Sequence, residues 1–165
     1  MGDQLIIWDA NYRDFLGTTW RAYALTFPDS FGVFSWDEAA RVLEDMPGMH
    51  VQVWGHGRTA QPLIDLKKPP LYFPWHHCRS AWFRSCSVAN GDKGRAFMAD
   101  VAKECDVAAH LGIVGTWAVQ SRLVGVRKGE APWWGDTDPR EHSAPWVPRS
   151  VPVTARRLPA WTWAP

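Results

Sequence analysis

Two short apolar runs, VQVWGHG at positions 51–57 and AWFRSC at positions 81–86, decide the fold that this sequence can adopt. Each run has the length and the β-branched and aromatic content of a buried strand. The first ends with His56 between two glycines, and the second ends with Cys86. If both runs are parallel strands of one sheet, an imidazole and a thiol lie at its carboxyl edge, where open α/β sheets usually place their sites.

Strand and helix patterns alternate on both sides of these two runs. The predicted strands are 4–8, 24–27, 107–114 and 117–127, and the predicted helices are 35–46 and 92–104, while 14–23 is a short helix or an irregular crossover. Ser35 and Glu38 have the spacing of a capping box, and Asp92 is a candidate cap for the later helix. The alternation predicts an α/β fold with a mostly parallel sheet flanked by helices.

The connection between the two central runs is unusual for parallel strands. Parallel neighbours need a crossover of a dozen or more residues, usually a helix. Here residues 63–66 and 71–73 flank a Lys-Lys-Pro-Pro sequence and suggest a hairpin or two short extended arms. Either a short helix lies within 75–80, or the local topology differs from the usual helical crossover.

Composition limits the classes of function. The chain has 165 residues, 21% of them charged, and a net charge of +1, which is typical of a single globular domain and gives no electrostatic footprint for nucleic acid or an anionic membrane. We find no transmembrane run and no signal-peptide pattern, so we expect a cytoplasmic protein or one carried in an assembled particle. Three cysteines form no even disulfide framework.

The composition changes near residue 130. Residues 132–165 contain seven of the thirteen prolines and five of the twelve tryptophans. Since disordered tails are poor in aromatic residues, we expect an extended C-terminal arm over 131–165, attached to an α/β domain over 1–130 and not a domain by itself. Three uses of the arm remain open: packing on its own globule, docking in a larger assembly, or binding glycans through its indoles.

His56 and Cys86 are the candidate catalytic residues, because a thiolate attacks carbonyl groups and an imidazole can exchange its proton. The amide of Gly57, which has no side chain in the way, is a candidate oxyanion donor. Asp9 follows the first predicted strand and can orient His56, line a pocket for a basic side chain, or simply cap a turn. Arg84 either favours the thiolate of Cys86 or marks a site that is no longer catalytic.

His77 is a further candidate pocket residue. His76 and Cys78 on either side of it raise the question of a metal site, but adjacent residues of a strand point to opposite faces. Zinc sites also need three or four ligands, and no second ligand pair has the usual spacing. The sequence therefore predicts no metal and no cofactor.

A family resemblance covers residues 50–127. The His-Gly run, the Cys run and the tract CSVANGDKGRAFMADVAKECDVAAHLGIVG at 86–115 resemble the caspase, gingipain, clostripain and separase superfamily. They are most similar to the caspase-like domain of unknown function found in large bacterial adhesins. The resemblance implies a caspase-like layer fold, with His56 as general acid and base, Cys86 as nucleophile, and the amides of Gly57 and Cys86 as oxyanion donors. It also places Trp117 near a specificity pocket.

Two functions follow from this resemblance. The first is a cysteine endopeptidase with a His–Cys dyad, acting on a protein or peptide substrate. The second is a catalytically silent module of the same fold, anchored by residues 131–165 in a multi-subunit complex or phage particle. Neither function involves nucleic acid or a membrane as partner.

Overall fold

The computed structural model describes residues 4–13, 15–112, 114, 123–132 and 134, with the backbone alone at 15 and 16. The strands of its main sheet are β1 (Gln4–Asp9), β2 (Ser30–Val33), β3 (His50–Trp54), β6 (Ser80–Arg84), β7 (Asp106–His110) and β8 (Leu123–Val126). Two shorter strands, β4 (Gly57–Arg58) and β5 (Gln61–Pro62), pair as a hairpin. The helices are α1 (Phe15–Ala24), α2 (Trp36–Asp45) and α3 (Gly91–Ala102), with a 3-10 turn at Trp75–His77.

The strands of the main sheet follow the order β2-β1-β3-β6-β7-β8. Neighbouring strands are parallel except for the last pair, in which β8 runs antiparallel to β7. The prediction of an α/β fold with a mostly parallel sheet flanked by helices is therefore confirmed. Because β3 and β6 are parallel neighbours at the centre of the sheet, their carboxyl ends lie at the same edge.

The two faces of the sheet carry different side chains, since residues alternate between faces along each strand. One face is aliphatic and packs with residues of α2 and α3 in the larger core cluster, which includes Leu5, Val53, Leu43 and Met98. The other face is aromatic and polar. It includes Trp54, Trp82, Arg84 and His110, and α1 packs on part of it through Ala24, Trp20 and Tyr23.

The capping box predicted for α2 forms with a small variation. The backbone N–H of Glu38 donates to the Ser35 hydroxyl at 3.2 Å, as an N-cap requires. The Glu38 carboxylate accepts from the backbone N–H of Phe34 at 2.8 Å, one residue before the cap. Ser35 therefore fixes the start of the helix, and Glu38 fixes the chain that enters it.

Two local predictions are wrong. Residues 24–27 are not a strand, because α1 continues to Ala24 and the chain then turns, with Thr26 N–H donating to the Tyr23 carbonyl at 3.0 Å. The strand that follows β1 is instead β2, in which Gly32 lies against the Trp8 ring so closely that a Cβ would be 2.5 Å from it. Asp92 does not cap α3, since the N-cap position is Asn90.

The crossover from β3 to β6 contains no α-helix. Its hairpin is β4–β5, earlier than predicted, and an isolated bridge joins Ile64 to Lys67. Aromatic packing takes the place of a helix, because Phe73 and Trp75 lie 4.3 Å apart and Trp75 packs against Phe83 of the sheet at 5.2 Å. Part of the expected short helix exists as the 3-10 turn at Trp75–His77.

The strand predicted over 107–114 ends earlier than expected. β7 ends at His110, and of the predicted strand 117–127 the structure shows β8, while 115–122 lies outside the described residues. Most of the predicted arm, 135–165, lies outside them too. No helix within the described part of the chain has the length and hydropathy needed to cross a membrane.

Candidate active site

The register of β3 and β6 brings His56 and Cys86 level with each other. Along these parallel neighbours His50 pairs with Ser80, and Trp54 pairs with Arg84. His56 and Cys86 each follow the last pair by two residues, so they occupy equivalent positions beyond the two strand ends. Adjacent strands are about 4.8 Å apart, which places the backbones of the two residues side by side at the carboxyl edge.

Gly57 is in direct contact with the backbone that carries Cys86. A Cβ at position 57 would be 2.7 Å from the Cys86 nitrogen and 2.7 Å from the Ser85 Cβ, and it would overlap the Cys86 carbonyl oxygen. Real side chains do not tolerate such contacts with backbone atoms. A glycine is therefore required at this position, because the Cys86 backbone occupies the space that a side chain would need.

Cys86 sits in a turn that is held by the segment after β7. Its Sγ accepts a hydrogen bond from the Val114 N–H at 3.3 Å, and the Ser87 N–H donates to the Gly112 carbonyl at 2.8 Å. Ser87 has a φ of 58°, in the left-handed region that non-glycine residues rarely adopt. The half-buried thiol of Cys86 is therefore held against the backbone of Val114.

The His56 imidazole is positioned by aromatic rings. Its centroid lies 4.2 Å from that of Tyr12 and 5.2 Å from that of Trp20, which belongs to α1. The backbone carbonyl of His56 accepts from the Leu63 N–H at 2.9 Å, so the hairpin loop fixes its main chain. Ring packing and main-chain bonding together hold the imidazole at the edge of the sheet.

The two side chains do not hydrogen-bond to each other among the contacts of the described residues. His56 makes ring contacts, and the Cys86 Sγ bonds to Val114. Catalytic hydrogen bonds are often long or unformed without substrate and shorten when the substrate binds. The backbone geometry is thus compatible with a dyad, and the side chains stand in a resting arrangement.

Asp9 has a clear local function. It is fully buried, and its carboxylate accepts from the Asn11 backbone N–H at 3.0 Å and from the Asp65 backbone N–H at 3.0 Å. It therefore ties the end of β1 to the loop after β5. Its carboxylate oxygens bind these amides and make no bond to His56 within the described residues.

His77 lies at the opposite edge of the sheet from His56. It belongs to the 3-10 turn before β6, and its carbonyl accepts from the N–H of Gly48, which precedes β3. His77 is thus at the amino-terminal edge and does not join the predicted pocket. Trp117, the other predicted pocket residue, lies outside the described residues.

The burial of Arg84 is the feature of this region that the sequence did not predict. Arg84 is only 8% exposed, and its guanidinium carbon lies 4.7 Å from the Trp54 ring centroid and 4.9 Å from that of Trp82. Its buried Nη1 has no hydrogen-bond partner among the described residues. Burial lowers the pKa of Arg84 to about 10, partly offset by the nearby Tyr23. The alternation of Trp82 and Arg84 along β6 was the available signal.

The described residues contain no group of three or more His, Cys, Asp or Glu side chains arranged to hold a metal ion. His76 and His77 stack at 4.2 Å instead of converging on a common point with Cys78. Cys78 is buried, and its neighbour in space is Cys105.

The first part of the C-terminal arm contacts the turn after Cys86. Trp134 is buried in the larger core cluster, and its indole N–H donates to the Ala89 carbonyl at 3.2 Å. At this one position the arm packs on its own globule. The rest of the arm lies outside the described residues, so its proposed uses stay predictions.

Comparison of the chain with protein-family models, with curated proteins and with solved structures gives no match. The functional argument therefore depends on the residues of the site and their geometry.

Proposed function

We propose that this protein is a cysteine endopeptidase of the caspase-like kind, with His56 and Cys86 as its dyad. The observation that carries the proposal is the register of β3 and β6, which puts the two residues level at the end of neighbouring parallel strands. The contact of Gly57 with the Cys86 backbone adds to it, because it holds the segment that carries His56 beside the segment that carries Cys86.

The reaction follows from these positions. The Cys86 thiolate attacks the carbonyl carbon of a peptide bond, and the negative oxygen that results is stabilised by the amides of Gly57 and Cys86. The C–N bond then breaks, and the protonated His56 gives its proton to the leaving amine. Water, deprotonated by His56, attacks the thioester and releases the acid, which restores the thiol.

We expect rotation of the His56 ring to form the dyad. His56 is held by ring contacts with Tyr12 and Trp20 and not by a hydrogen bond among the described residues. Rotation of an imidazole between aromatic rings breaks no strong interaction. Substrate binding can therefore turn the ring toward Cys86 at little cost.

The test is alkylation of the full chain with iodoacetamide from pH 5 to 9, with the modified cysteine identified by peptide mapping. We expect Cys86 to react near neutral pH, and His56→Ala to slow it at least about tenfold, a modest share of what general base catalysis contributes. Cys78 and Cys105 serve as internal controls, since both are buried. His77→Ala is the matched control and should leave the Cys86 rate unchanged.

The proposal fails if Cys86 reacts no faster than an unfolded thiol or if His56→Ala has no effect. The second candidate, a catalytically silent module of the same fold, is favoured by one observation: the resting side chains of His56 and Cys86 bond to other groups. Unreactive Cys86 in a folded protein would support this candidate, with residues 131–165 as the segment that attaches it to an assembly.

A further inference from the structure

Two buried cysteines lie next to each other at the amino-terminal edge of the sheet. Only Arg79 separates Cys78 from β6, and Cys105 directly precedes β7. These strands are parallel neighbours, with Ser80 of β6 paired to Asp106 of β7. Because the two strands start level with each other, the residues just before them lie side by side. The Cys78 thiol has Cys105 as its hydrogen-bond partner.

The spacing of the two backbones is compatible with a disulfide. Continuing the pairing of β6 with β7 by one residue places Cys105 level with Arg79, so Cys78 is displaced by one residue along the chain. Since neighbouring strands are about 4.8 Å apart and one residue advances about 3.3 Å, the two Cα atoms lie about 6 Å apart. This distance is within the range of about 4.4–6.8 Å that disulfides require.

Both side chains project from the same face of the sheet. Cys78 and Cys105 are 6% and 1% exposed, and both belong to the larger core cluster on the aliphatic face. The Cys78 N–H donates to the Trp75 carbonyl at 2.9 Å in the 3-10 turn. The Cys105 N–H donates to the Val101 carbonyl at 3.1 Å at the end of α3. A bond between the two sulfurs therefore needs rotation of the side chains and no rearrangement of the main chain.

We propose that Cys78 and Cys105 form an intramolecular disulfide when the chain is exposed to a disulfide oxidant such as glutathione disulfide. The new bond joins the amino ends of β6 and β7, while Cys86, at the opposite edge of the sheet, takes no part in it. This modification site is separate from the candidate active site, and it exists whether or not the chain is a peptidase.

The exchange has two steps. The thiolate of one cysteine attacks glutathione disulfide, forms a mixed disulfide and releases one glutathione thiolate. The thiolate of the second cysteine then attacks the protein sulfur of the mixed disulfide and releases the second glutathione thiolate. In total the two protein thiols lose two electrons and two protons, and glutathione disulfide is reduced to two molecules of glutathione. Because both thiols are buried, the first step needs a local opening of the chain and is slower than for half-buried Cys86.

The bond closes a loop over 79–104, which contains β6, Cys86 and α3. Closing a loop restricts the unfolded chain more than the folded chain, in which the two cysteines are already adjacent. By thermodynamic linkage, the factor by which the fold favours the disulfide equals the factor by which the disulfide favours the fold. For a disulfide of typical stabilising effect this factor is at least about thirtyfold.

The first experiment measures this factor on the full chain with Cys86→Ser, which leaves only the proposed pair. The protein is equilibrated in mixtures of glutathione and glutathione disulfide, folded or in concentrated urea, starting from both the reduced and the oxidised chain. Free thiols are trapped with N-ethylmaleimide in urea, and mass spectrometry gives the oxidised fraction. We expect the equilibrium constant for the disulfide to be at least about thirtyfold larger in the folded chain. An equal or smaller constant overturns the proposal.

The matched control is Cys105→Ser, which retains Cys78 and Cys86. These two cysteines are closer in sequence, but β6 lies between them and keeps them more than about 20 Å apart. Their equilibrium constant should therefore be smaller in the folded chain than in urea. A preference of the folded chain for this disulfide as well overturns the proposal, because the preference would not depend on adjacent cysteines.

The second experiment needs no exchange in the folded protein. The disulfide of Cys86→Ser is formed in urea, the oxidant is removed, and the refolded chain is compared with the reduced chain in a thermal melt. We expect the oxidised chain to melt at least about 4 °C higher. The double variant with Cys78→Ser and Cys86→Ser should melt at the same temperature with and without the oxidation step. An oxidised chain that melts no higher than the reduced one, or that does not refold, overturns the proposal.

Discussion

The sheet has a histidine and a cysteine at each of its two edges, and the two pairs are in opposite situations. At the carboxyl edge, His56 and Cys86 are half-buried, and Gly57 packs closely against the Cys86 backbone. At the amino-terminal edge, His77 stacks on His76, and Cys78 is buried beside Cys105. The cysteine is therefore half-buried at one edge and part of the core at the other, while His56 and His77 are both half-buried.

The difference comes from how the chain meets each strand end. At the carboxyl edge the chain leaves β3 and β6 through tight turns, so the side chains beyond the strands remain at the surface. At the amino-terminal edge the chain reaches β6 under Trp75, which packs on Phe83. The segment that adjoins each strand end therefore decides whether the cysteine there is half-buried or part of the core.

Among the variants that test this comparison, Gly57→Ala is expected to have the largest effect on stability. The new methyl group would overlap backbone atoms of Cys86, which cannot move away as a flexible side chain could. We expect a loss of about 3 kcal/mol in unfolding free energy, at the upper end of overpacking costs, measured by urea denaturation, together with a changed Cys86 alkylation rate.

The control for this prediction is Gly48→Ala. Gly48 has a φ of 77° but open space around it, so only backbone strain of about 1 kcal/mol is expected. Equal losses for the two variants, or normal Cys86 reactivity in Gly57→Ala, would contradict the close contact at the carboxyl edge.

The buried pair at the amino-terminal edge should make stability fall at alkaline pH. The hydrogen bond with Cys105, and then burial, raise the pKa of the Cys78 thiol far above its ordinary value. The folded state thus retains a proton that the unfolded chain releases, so this contribution to stability is complete below about pH 9 and is lost above it. At pH 10 we expect a loss on the order of 1 kcal/mol.

Urea denaturation of the wild type and of Cys78→Ala at pH 8, 9 and 10 measures this loss. The variant should lack the decline that is due to Cys78, whatever its absolute stability. The lowered pKa of Arg84 acts in the opposite direction and mainly above pH 10, so the chosen range separates the two groups. If the unfolding free energy falls equally with pH in the wild type and in Cys78→Ala, the fold does not keep the Cys78 thiol protonated.

The smallest effect concerns the turn that presents Cys86. Ser87→Gly relieves the left-handed backbone conformation, at φ 58°, that a serine adopts only with strain. After the entropic cost of glycine, we expect a gain of about 0.5 kcal/mol in unfolding free energy. Ala60→Gly, with a φ of 62°, is the matched control and should give a similar gain. Only Ser87→Gly should alter the rate of Cys86 alkylation. If Ala60→Gly alters that rate as well, the turn at Ser87 has no special role.

Regular elements could be predicted because their signals are local. β3, β6 and α2 follow from apolar runs and from the cap at Ser35, and their positions in turn give the level placement of His56 and Cys86. β2 could not be predicted in the same way, because its short SFGV sequence includes a glycine that is explained only by the Trp8 ring packed against it.

The environment of the site depends on packing that sequence order does not encode. The positions of Tyr12 and Trp20 around His56 depend on where α1 lies on the sheet, and the Val114 bond to Cys86 depends on the turn after β7. His77 lies away from His56 because it precedes β6, from which only Cys78 and Arg79 separate it, and therefore lies at the amino-terminal edge. Burial of Arg84 could be detected only once its two tryptophan neighbours were placed.

The contact of Trp134 with the turn after Cys86 has a consequence for the order in which the chain folds during synthesis. The indole of Trp134 occupies the core and donates to the Ala89 carbonyl, across 45 residues of sequence. When a chain is made from its N-terminus, the strands that position His56 and Cys86 leave the ribosome well before this indole does. His56 and Cys86 are thus synthesised early, and the indole that packs against the turn after Cys86 follows later. A nascent chain shortened to 130 residues would have both of them without that support.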